Sequence, residues 1–320
     1  MFFLQIRMMF LVAVLFAIVY AVIALFGAYL GIQNFAFYGV AAVAVMAIQY
    51  SISPKLVEWT MRVRYVTRKE HPRLVEMVQR LAMNAEIPMP RVGIARINIP
   101  NAFAFGRSIK DGRVCVTERL IELLSEDELR AVLGHEISHI KNRDMLTISL
   151  LSVIPMIMYW IYWRFFWFGS RRSSRGSNNA ALIGIAAFLF YLISNLLVLY
   201  GSRIREYFAD RGALKLGSSP SSLASALYKL VYGAARVDRE SLQEVEGLKA
   251  FFASDPSAAM REIRELKAID RDRSGTIEPS ELAALRSKEV RLSFGEKMLE
   301  LYSTHPNMLK RIKQLSSYTG

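Results

Sequence analysis

Two of the four histidines in this 320-residue chain lie four positions apart, and a glutamate directly follows the first. They are His135 and His139, and the glutamate is Glu136. On a helix, residues four apart share one face, so both imidazoles can bind one tetrahedral zinc ion and leave a position for water. Glu136 then lies beside that water as its general base. The spacing therefore predicts a metal site that activates water for hydrolysis.

A catalytic zinc site of this kind needs a third protein ligand, and a carboxylate from a second helix can supply it. The segment SRIREYFADRGA, residues 202–213, provides Glu206. Asp210 follows one helical turn later and can accept a hydrogen bond from the second ring nitrogen of a ligand histidine. In the alternative interpretation, both carboxylates form surface ion pairs with neighbouring arginines, which are Arg203, Arg205 and Arg211.

The helix that carries the two histidines has a clear start. Ser125 and Glu128 match a capping box, in which each side chain accepts a hydrogen bond from the backbone amide of the other. A helix through residues 126–144 follows. Upstream, residues 71–87 have helical apolar spacing, and the segments 91–97, 101–106 and 112–118 have strand character. The expected fold is mainly α-helical with a small antiparallel β-sheet.

The composition is that of a membrane protein. The chain is 53% hydrophobic and has 41 Lys and Arg against 28 Asp and Glu, a net charge of +13, and these values exclude a disordered chain. A single cysteine, Cys115, excludes an intrachain disulfide scaffold. Apolar stretches long enough to cross a bilayer occupy about 10–32, 35–52, 146–168 and 180–200. Four transmembrane helices in two hairpins are therefore predicted.

Basic residues near the ends of these spans predict the orientation. Eleven lie on one side, against four in the turn between the third and fourth spans, which places both termini and the polar regions in the cytoplasm. The eleven are Arg7, Lys55, Arg62, Arg64, Arg68, Lys69, Lys141, Arg143, Arg203, Arg205 and Arg211, and the four are Arg164, Arg171, Arg172 and Arg175. A second hairpin that dips into the bilayer without crossing it is the alternative. The expected organisation is a transmembrane hairpin at 1–52, a second at 146–200, and one folded domain in two parts, 53–145 and 201–320.

Five separated segments together resemble a known family. They are IPMPRVGI, NAFAFG, GHEISHIKNRD, SRIREYFADRGA and STHPNMLKRI, in this order along the chain. In kind and order they resemble the HtpX-type membrane zinc metalloproteases, a gluzincin family related to the CAAX prenyl proteases, over about residues 1–255 and 295–315. The resemblance implies a gluzincin-type zinc peptidase domain on the cytoplasmic membrane face. It also implies His135, His139 and Glu206 as zinc ligands and Glu136 as the base.

The same resemblance suggests two further functional segments. Asn101, Ala102 and Phe103 resemble the family's edge strand beside the zinc cleft, where an extended peptide can bind by backbone pairing. The alternative is an internal strand whose phenylalanines fill the core. His305 begins an HPxxxxR pattern that ends at Arg311, and it can donate a hydrogen bond to the oxyanion that develops during hydrolysis. The alternative for His305 is a structural cap.

One stretch is not part of this family pattern. Residues 270–281, DRDRSGTIEPSE, match a calcium-binding EF-hand loop, with glycine at position 6, an apolar residue at position 8 and glutamate at position 12. The oxygen ligands of Ca²⁺ would come from Asp270, Asp272, Ser274, Thr276, Glu278 and Glu281. The loop lies in an insertion at about 258–290. A charged helix-turn-helix insertion that binds no calcium is the alternative.

The sequence as a whole predicts an integral, multi-pass zinc endopeptidase of the cell membrane. Its expected substrates are misfolded or membrane-associated proteins, its surroundings are the lipid bilayer, and its metals are Zn²⁺ and, in the second site, Ca²⁺. The alternative is a non-enzymatic membrane scaffold or a calcium-responsive interaction protein on the same fold. Nucleic acid is not an expected partner, because the arginines cluster at span ends and no recognition motif occurs.

Overall fold

The computed structural model describes residues 51–52, 54–144, 155, 158–159, 161–162, 178–235, 266, 269–287 and 294–319. The chain divides into two compact units. The first comprises Met1–Ile52 and Leu146–Gly201, and the second comprises Ser53–Met145 and Ser202–Gly320. All of the candidate site residues belong to the second unit.

The second unit contains a small mixed sheet. Its strands are β1 Val63–Tyr65, β2 Arg91–Ala95, β3 Ala102–Phe105 and β4 Arg113–Thr117. They lie in the order β1-β2-β4-β3, so β1 and β3 form the two edges. β4 is parallel to β2, with Cys115 opposite Gly93, and β3 is antiparallel to β4, with Phe103 opposite Cys115. β1 is antiparallel to β2.

The prediction of a purely antiparallel sheet is wrong for one pairing. The turn between β3 and β4 does form the expected antiparallel hairpin, but β4 lies between β3 and β2 and runs in the same direction as β2. Turn residues determine how two successive strands are joined, and they do not determine which strand becomes central. All five residues of β4 are buried, in agreement with its central position.

The main apolar core lies between this sheet and helices that precede and follow it. These helices are α1 Pro72–Asn84, the short α2 Glu118–Leu123 and α3 Glu126–Lys141. α1 contributes its buried positions at helical spacing, α3 contributes its buried aliphatic face, and the sheet contributes alternate strand residues. The core residues include Leu74, Val78, Leu81, Val92, Ile94, Val114, Val116, Val132, Leu133, Ile137 and Ile140. This packing fixes α3 against the sheet.

Within the part of the chain that the structure describes, one helix is long and apolar enough to cross a membrane. It is α4, Asn178–Lys215, which has 38 residues and includes the predicted fourth span. Glu206 and Asp210 lie on its C-terminal part, so the span and the third-ligand segment belong to one continuous helix. The predicted first, second and third spans fall outside the described residues, apart from a few positions. Four spans therefore stay a prediction.

A buried carboxylate joins the start of α3 to α5, Pro220–Ala235. Glu128 completes the predicted capping box, because its Oε2 accepts from the Ser125 amide at 2.8 Å and its own amide donates to Ser125 Oγ at 3.4 Å. The Glu128 carboxylate also accepts from Ser225 Oγ at 2.6 Å and from Lys229 Nζ at 2.8 Å. Burial alone would raise the pKa of Glu128, but these donors hold it below its usual value.

A second apolar cluster holds the C-terminal helices. These are α6 Pro279–Leu285, α7 Phe294–Leu301 and α8 Met308–Ser316. α6 and α8 pack against each other and against α5. The buried residues of this cluster include Leu223, Leu227, Val231, Ile277, Leu282, Leu285, Met308, Ile312 and Leu315. Through α8, the end of the chain is held close to the candidate metal centre.

Candidate metal centre

The two histidines of α3 and the glutamate of α4 form one group of potential metal ligands. Nε2 of His135 lies 3.1 Å from Nε2 of His139. Glu206 Oε2 lies 3.5 Å from the first of these nitrogens, and Glu206 Oε1 lies 3.4 Å from the second. Tetrahedral bonds of about 2.0–2.1 Å place ligand atoms about 3.3 Å apart. The three side chains therefore fit a zinc ion in both donor chemistry and spacing.

Each of the two imidazoles has a carboxylate at its second nitrogen. Asp210 Oδ1 lies 2.9 Å from Nδ1 of His135. Nδ1 of His139 is hydrogen-bonded to Asp144 Oδ2 at 2.7 Å. Such contacts fix the tautomer and leave Nε2 free to bind a metal. The sequence predicts the contact with Asp210, whereas the contribution of Asp144 was missed, although the residue follows closely after the histidine helix.

The position of Asp144 depends on how α3 ends. Arg143 directly follows the final turn and has a positive φ of 59°, so the backbone reverses there. The backbone carbonyl of Asp144 then accepts a hydrogen bond from Arg205 at 2.7 Å, which ties the end of α3 to α4. This arrangement joins the helix carrying the two histidines to the helix carrying the glutamate, close to the candidate metal centre.

The carboxylates around His135 and His139 raise the pKa values of both imidazoles. Burial lowers the pKa of His139, but the neighbouring Asp144 and Glu206 outweigh burial and raise the pKa to about 10. Burial also lowers the pKa of His135, and Asp210 and Glu206 again reverse the effect, so that this pKa is raised. Metal ligation requires neutral imidazoles. Metal and protons therefore compete for these two nitrogens.

Glu136 is adjacent to the first histidine on α3 and is 5% exposed. Among the residues that the structure describes, none forms a hydrogen bond or an ion pair with its carboxylate. A carboxylate in this situation is free to accept a proton from water beside the ligand group.

Two residues from the C-terminal segment contact the third ligand. Nδ1 of His305 lies 3.1 Å from Glu206 Oε2, and its Nε2 is buried and lacks a hydrogen-bond partner within the described residues. Nη1 of Arg311 lies 2.9 Å from the same oxygen. Arg311 also donates to both carboxylate oxygens of Asp210, at 2.9 and 2.6 Å. From sequence, Arg311 is predicted only as part of a pattern, because nothing local indicates its contact with Asp210, 101 positions earlier in the chain.

The predicted substrate strand is β3, which lies at an edge of the sheet and contacts α3. Asn101, Ala102 and Phe103 are all buried. Phe103 stacks on Phe105 with ring centroids 5.8 Å apart, and both belong to a small apolar cluster with Cys115. The edge position and the core role of the phenylalanines, which the sequence gives as alternatives, therefore occur together.

The predicted EF-hand loop brings three carboxylates together outside the histidine centre. Ligand oxygens of Asp270, Asp272 and Glu281 lie within 4.8 Å of one another. Gly275, at position 6, has a φ of +79°, and Ile277, at position 8, is buried in the second apolar cluster. The remaining predicted ligands, Ser274, Thr276 and Glu278, belong to the same loop, and Glu281 lies in the first turn of α6.

Three comparisons relate the chain to known proteins. Residues 68–319 match the model of peptidase family M48. A protease HtpX homolog of Methanothermobacter thermautotrophicus is 51% identical over 71% of this chain and 86% of its own length. Another, of Moorella thermoacetica, is 36% identical over 96% of this chain and 90% of its own length. The crystal structure of S. mikatae Ste24p matches 99% of this chain and 67% of that chain, at 17% identity and a TM-score of 0.49.

The chain therefore belongs to peptidase family M48. It is a membrane metalloprotease, and the resemblance expected from the five sequence segments is confirmed. The alternative of a non-enzymatic scaffold on the same fold is not favoured by these findings.

Proposed function

We propose that the chain is a zinc-dependent endopeptidase in which His135, His139 and Glu206 hold the metal. The observation that carries this proposal is the convergence of their three ligand atoms, 3.1 to 3.5 Å apart, from two different helices. Two imidazoles and a carboxylate form a donor set that zinc prefers, and the set leaves a coordination position open for catalysis. Calcium and magnesium prefer oxygen ligands and fit this site poorly.

The reaction follows from the residues around the ligand group. A zinc ion held there would supply a Lewis acid that polarises the substrate carbonyl and makes water acidic near neutral pH. Glu136 takes the proton from the attacking water and passes it to the leaving amine. His305 presents a buried ring nitrogen beside Glu206, and we assign it the donation of a hydrogen bond to the carbonyl oxygen as negative charge develops.

The substrate is an extended peptide that pairs with β3. The pairing segment is Asn101, Ala102 and Phe103. The amide and the carbonyl of Asn101 already bond to Thr117, so the backbone groups for a substrate come from Ala102 onward. The Phe103 ring stays in the core. Recognition by backbone pairing favours broad side-chain specificity. An enzyme with broad side-chain specificity can cleave misfolded proteins, because they expose extended segments of varied sequence. The apolar part of α4 is continuous with the segment that carries Glu206, which favours substrates at the membrane surface.

The proposed topology is multi-pass, with the catalytic unit in the cytoplasm. It is supported by the four apolar stretches in the sequence and by the excess of Lys and Arg on one side of them.

The function can be tested with the full chain purified in detergent. Unfolded casein should be cleaved, the activity should disappear when a chelator removes the metal, and added zinc should restore it. Calcium or magnesium should not replace zinc. A preparation that contains one zinc per chain and leaves casein and membrane-anchored peptides intact would favour the scaffold alternative.

We also propose that residues 270–281 bind a calcium ion through Asp270, Asp272, Ser274, Thr276, Glu278 and Glu281. Asp270 and Glu281 are buried, and a third carboxylate lies within 4.8 Å of both. Three negative charges this close repel one another, so a divalent cation would relieve the repulsion. The Asp270 carboxylate is held in the loop, because it accepts hydrogen bonds from the amides of Ser274 and Gly275 at 3.0 and 3.1 Å.

The loop is anchored to the peptidase unit. Tyr228 Oη on α5 donates to Asp270 Oδ2 at 2.8 Å, and Ile277 packs in the cluster around α5, α6 and α8. EF-hands usually work in pairs, and no second loop of this pattern occurs in the sequence. The expected calcium affinity is therefore weak, with a dissociation constant on the order of 10⁻⁵ to 10⁻³ M.

Calorimetric titration of the full chain with calcium chloride tests this second site. The parent should show one saturable event, and Glu281→Gln should weaken it at least tenfold. Glu122→Gln, an exposed glutamate on α2, is the matched control and should bind as the parent does. Absence of saturation below about 10 mM, or equal binding by parent and Glu281→Gln, would overturn the calcium proposal.

A further inference from the structure

Arg311 lies on α8 and is 1% exposed. Its guanidinium contacts two carboxylates that lie one turn apart on α4. Nε and Nη2 donate to the two oxygens of Asp210 at 2.9 and 2.6 Å, which is a bidentate pair. Nη1 lies 2.9 Å from Glu206 Oε2. The Arg311 guanidinium therefore contacts both Glu206, a candidate metal ligand, and Asp210, the carboxylate beside His135.

The same two carboxylates also contact the two histidines of α3. Glu206 directs Oε1 toward Nε2 of His139 and Oε2 toward Nε2 of His135. Asp210 directs Oδ1 toward Nδ1 of His135. Without a cation in this position, two buried anions would lie one turn apart and would rotate away from each other.

We propose that Arg311 is a positioning residue of the metal centre. It holds Glu206 and Asp210 in the orientations that bring the ligand carboxylate and the His135 ring to the metal. The inference rests on the proposed function, because it assumes that these residues bind zinc. It adds that the ligand geometry is set by α8, a helix that contributes no ligand of its own.

The chemistry of the contact explains why an arginine is needed. A planar guanidinium can bridge two carboxylates at once, whereas a lysine ammonium is a single point charge on a flexible stem. Lysine at this position keeps the charge and loses the fixed geometry. Arg311→Lys therefore separates positioning from charge neutralisation.

α8 has enough other contacts to remain in place without Arg311. Met308, Ile312 and Leu315 are buried in the second apolar cluster. Lys313 donates to the carbonyl oxygens of Leu285 at 2.7 Å and Arg286 at 2.5 Å at the end of α6. The Arg311→Lys variant is therefore expected to fold.

The test compares the parent with Arg311→Lys and Arg311→Gln, and the control is Gln314→Ala on the same helix. Zinc affinity is measured by competition with a chelator, the ligand field by the visible absorption of the cobalt-substituted protein, and stability by the unfolding temperature of the metal-free chain. We expect Arg311→Lys to bind zinc about 10–100-fold more weakly, with an altered cobalt spectrum. Its kcat on casein should fall with little change in KM, and Gln314→Ala should match the parent.

The outcomes separate this inference from the proposed function. If parent and control bind zinc and Arg311→Lys binds it equally well with the same cobalt spectrum, Arg311 has no positioning role. If neither parent nor control binds zinc, the proposed function itself fails. If Arg311→Lys and Arg311→Gln both lose cooperative unfolding without metal, the residue is required for the fold and the positioning proposal is overturned.

Discussion

The carboxylate of Asp144 is hydrogen-bonded to Nδ1 of His139 at 2.7 Å, although the two residues lie on opposite sides of the end of α3. Asp210 on α4 occupies the equivalent position at His135, 2.9 Å from its Nδ1. The two imidazoles of one helix are thus oriented by carboxylates from two different parts of the chain. This arrangement leaves both Nε2 atoms facing Glu206.

Replacement of Asp144 should weaken metal binding without removing a ligand. In Asp144→Asn the charged acceptor for the His139 ring is lost, and such changes typically reduce metal affinity about 10–100-fold. Chelator competition measures the effect, and Asp127→Asn, an exposed residue at the start of α3, is the matched control. Equal zinc affinity of parent and Asp144→Asn would show that Asp144 does not support the ligand.

Removal of the third ligand should have a larger effect. Glu206→Ala leaves two histidines, which bind zinc too weakly to survive purification, so its zinc content should fall to near zero along with activity. Metal analysis of the purified variant gives the answer. A Glu206→Ala protein with the same zinc content as the parent would require a different third ligand.

The local parts of the site could be predicted from sequence, because they depend on spacing along one helix. The metal-site residues of α3, which are His135, Glu136 and His139, lie within four positions of the helix. The capping box of Ser125 and Glu128 spans one helical turn. Asp210 was predicted for the same reason, since it follows Glu206 by one turn of α4.

The remaining parts depend on long-range packing, which spacing does not encode. Arg311 reaches Asp210 across 101 positions, and Asp144 reaches His139 only because the backbone reverses at Arg143. The parallel pairing of β2 with β4 is of the same kind, because it arises when a later strand takes the central position.

The ion pair between the buried Glu128 and the half-buried Lys229 should make stability depend on pH. The pKa of Glu128 is lower in the folded chain than in the unfolded chain, so its stabilising effect is present above about pH 4 and is lost as the pH falls through the folded value. Glu128→Gln should lose about 1.5–3 kcal/mol of unfolding free energy at pH 7. The difference in unfolding free energy between Glu128→Gln and the parent should become smaller at acidic pH. Glu126→Gln, at an exposed position on the same helix, is the matched control and should unfold with the same free energy as the parent at pH 7.

The proposed topology can be tested by labelling intact cells with a membrane-impermeant maleimide. In a Cys115→Ala background, a cysteine at Ser174 should be labelled from outside, because the third and fourth spans are predicted to cross the bilayer. A cysteine at Ser287, which is exposed in the catalytic unit, should react only after lysis. Protection of the Ser174 position in intact cells would favour a hairpin that dips into the membrane.

The catalytic role of Glu136 is the central claim, and the rate of casein cleavage per bound zinc tests it most directly. Glutamine at position 136 cannot take up the proton, yet the residue is not a proposed metal ligand. Glu136→Gln should therefore retain parental zinc content and lose at least about 10²-fold in kcat. Cleavage by Glu136→Gln at the parental rate per zinc would contradict the assignment of this residue as the general base.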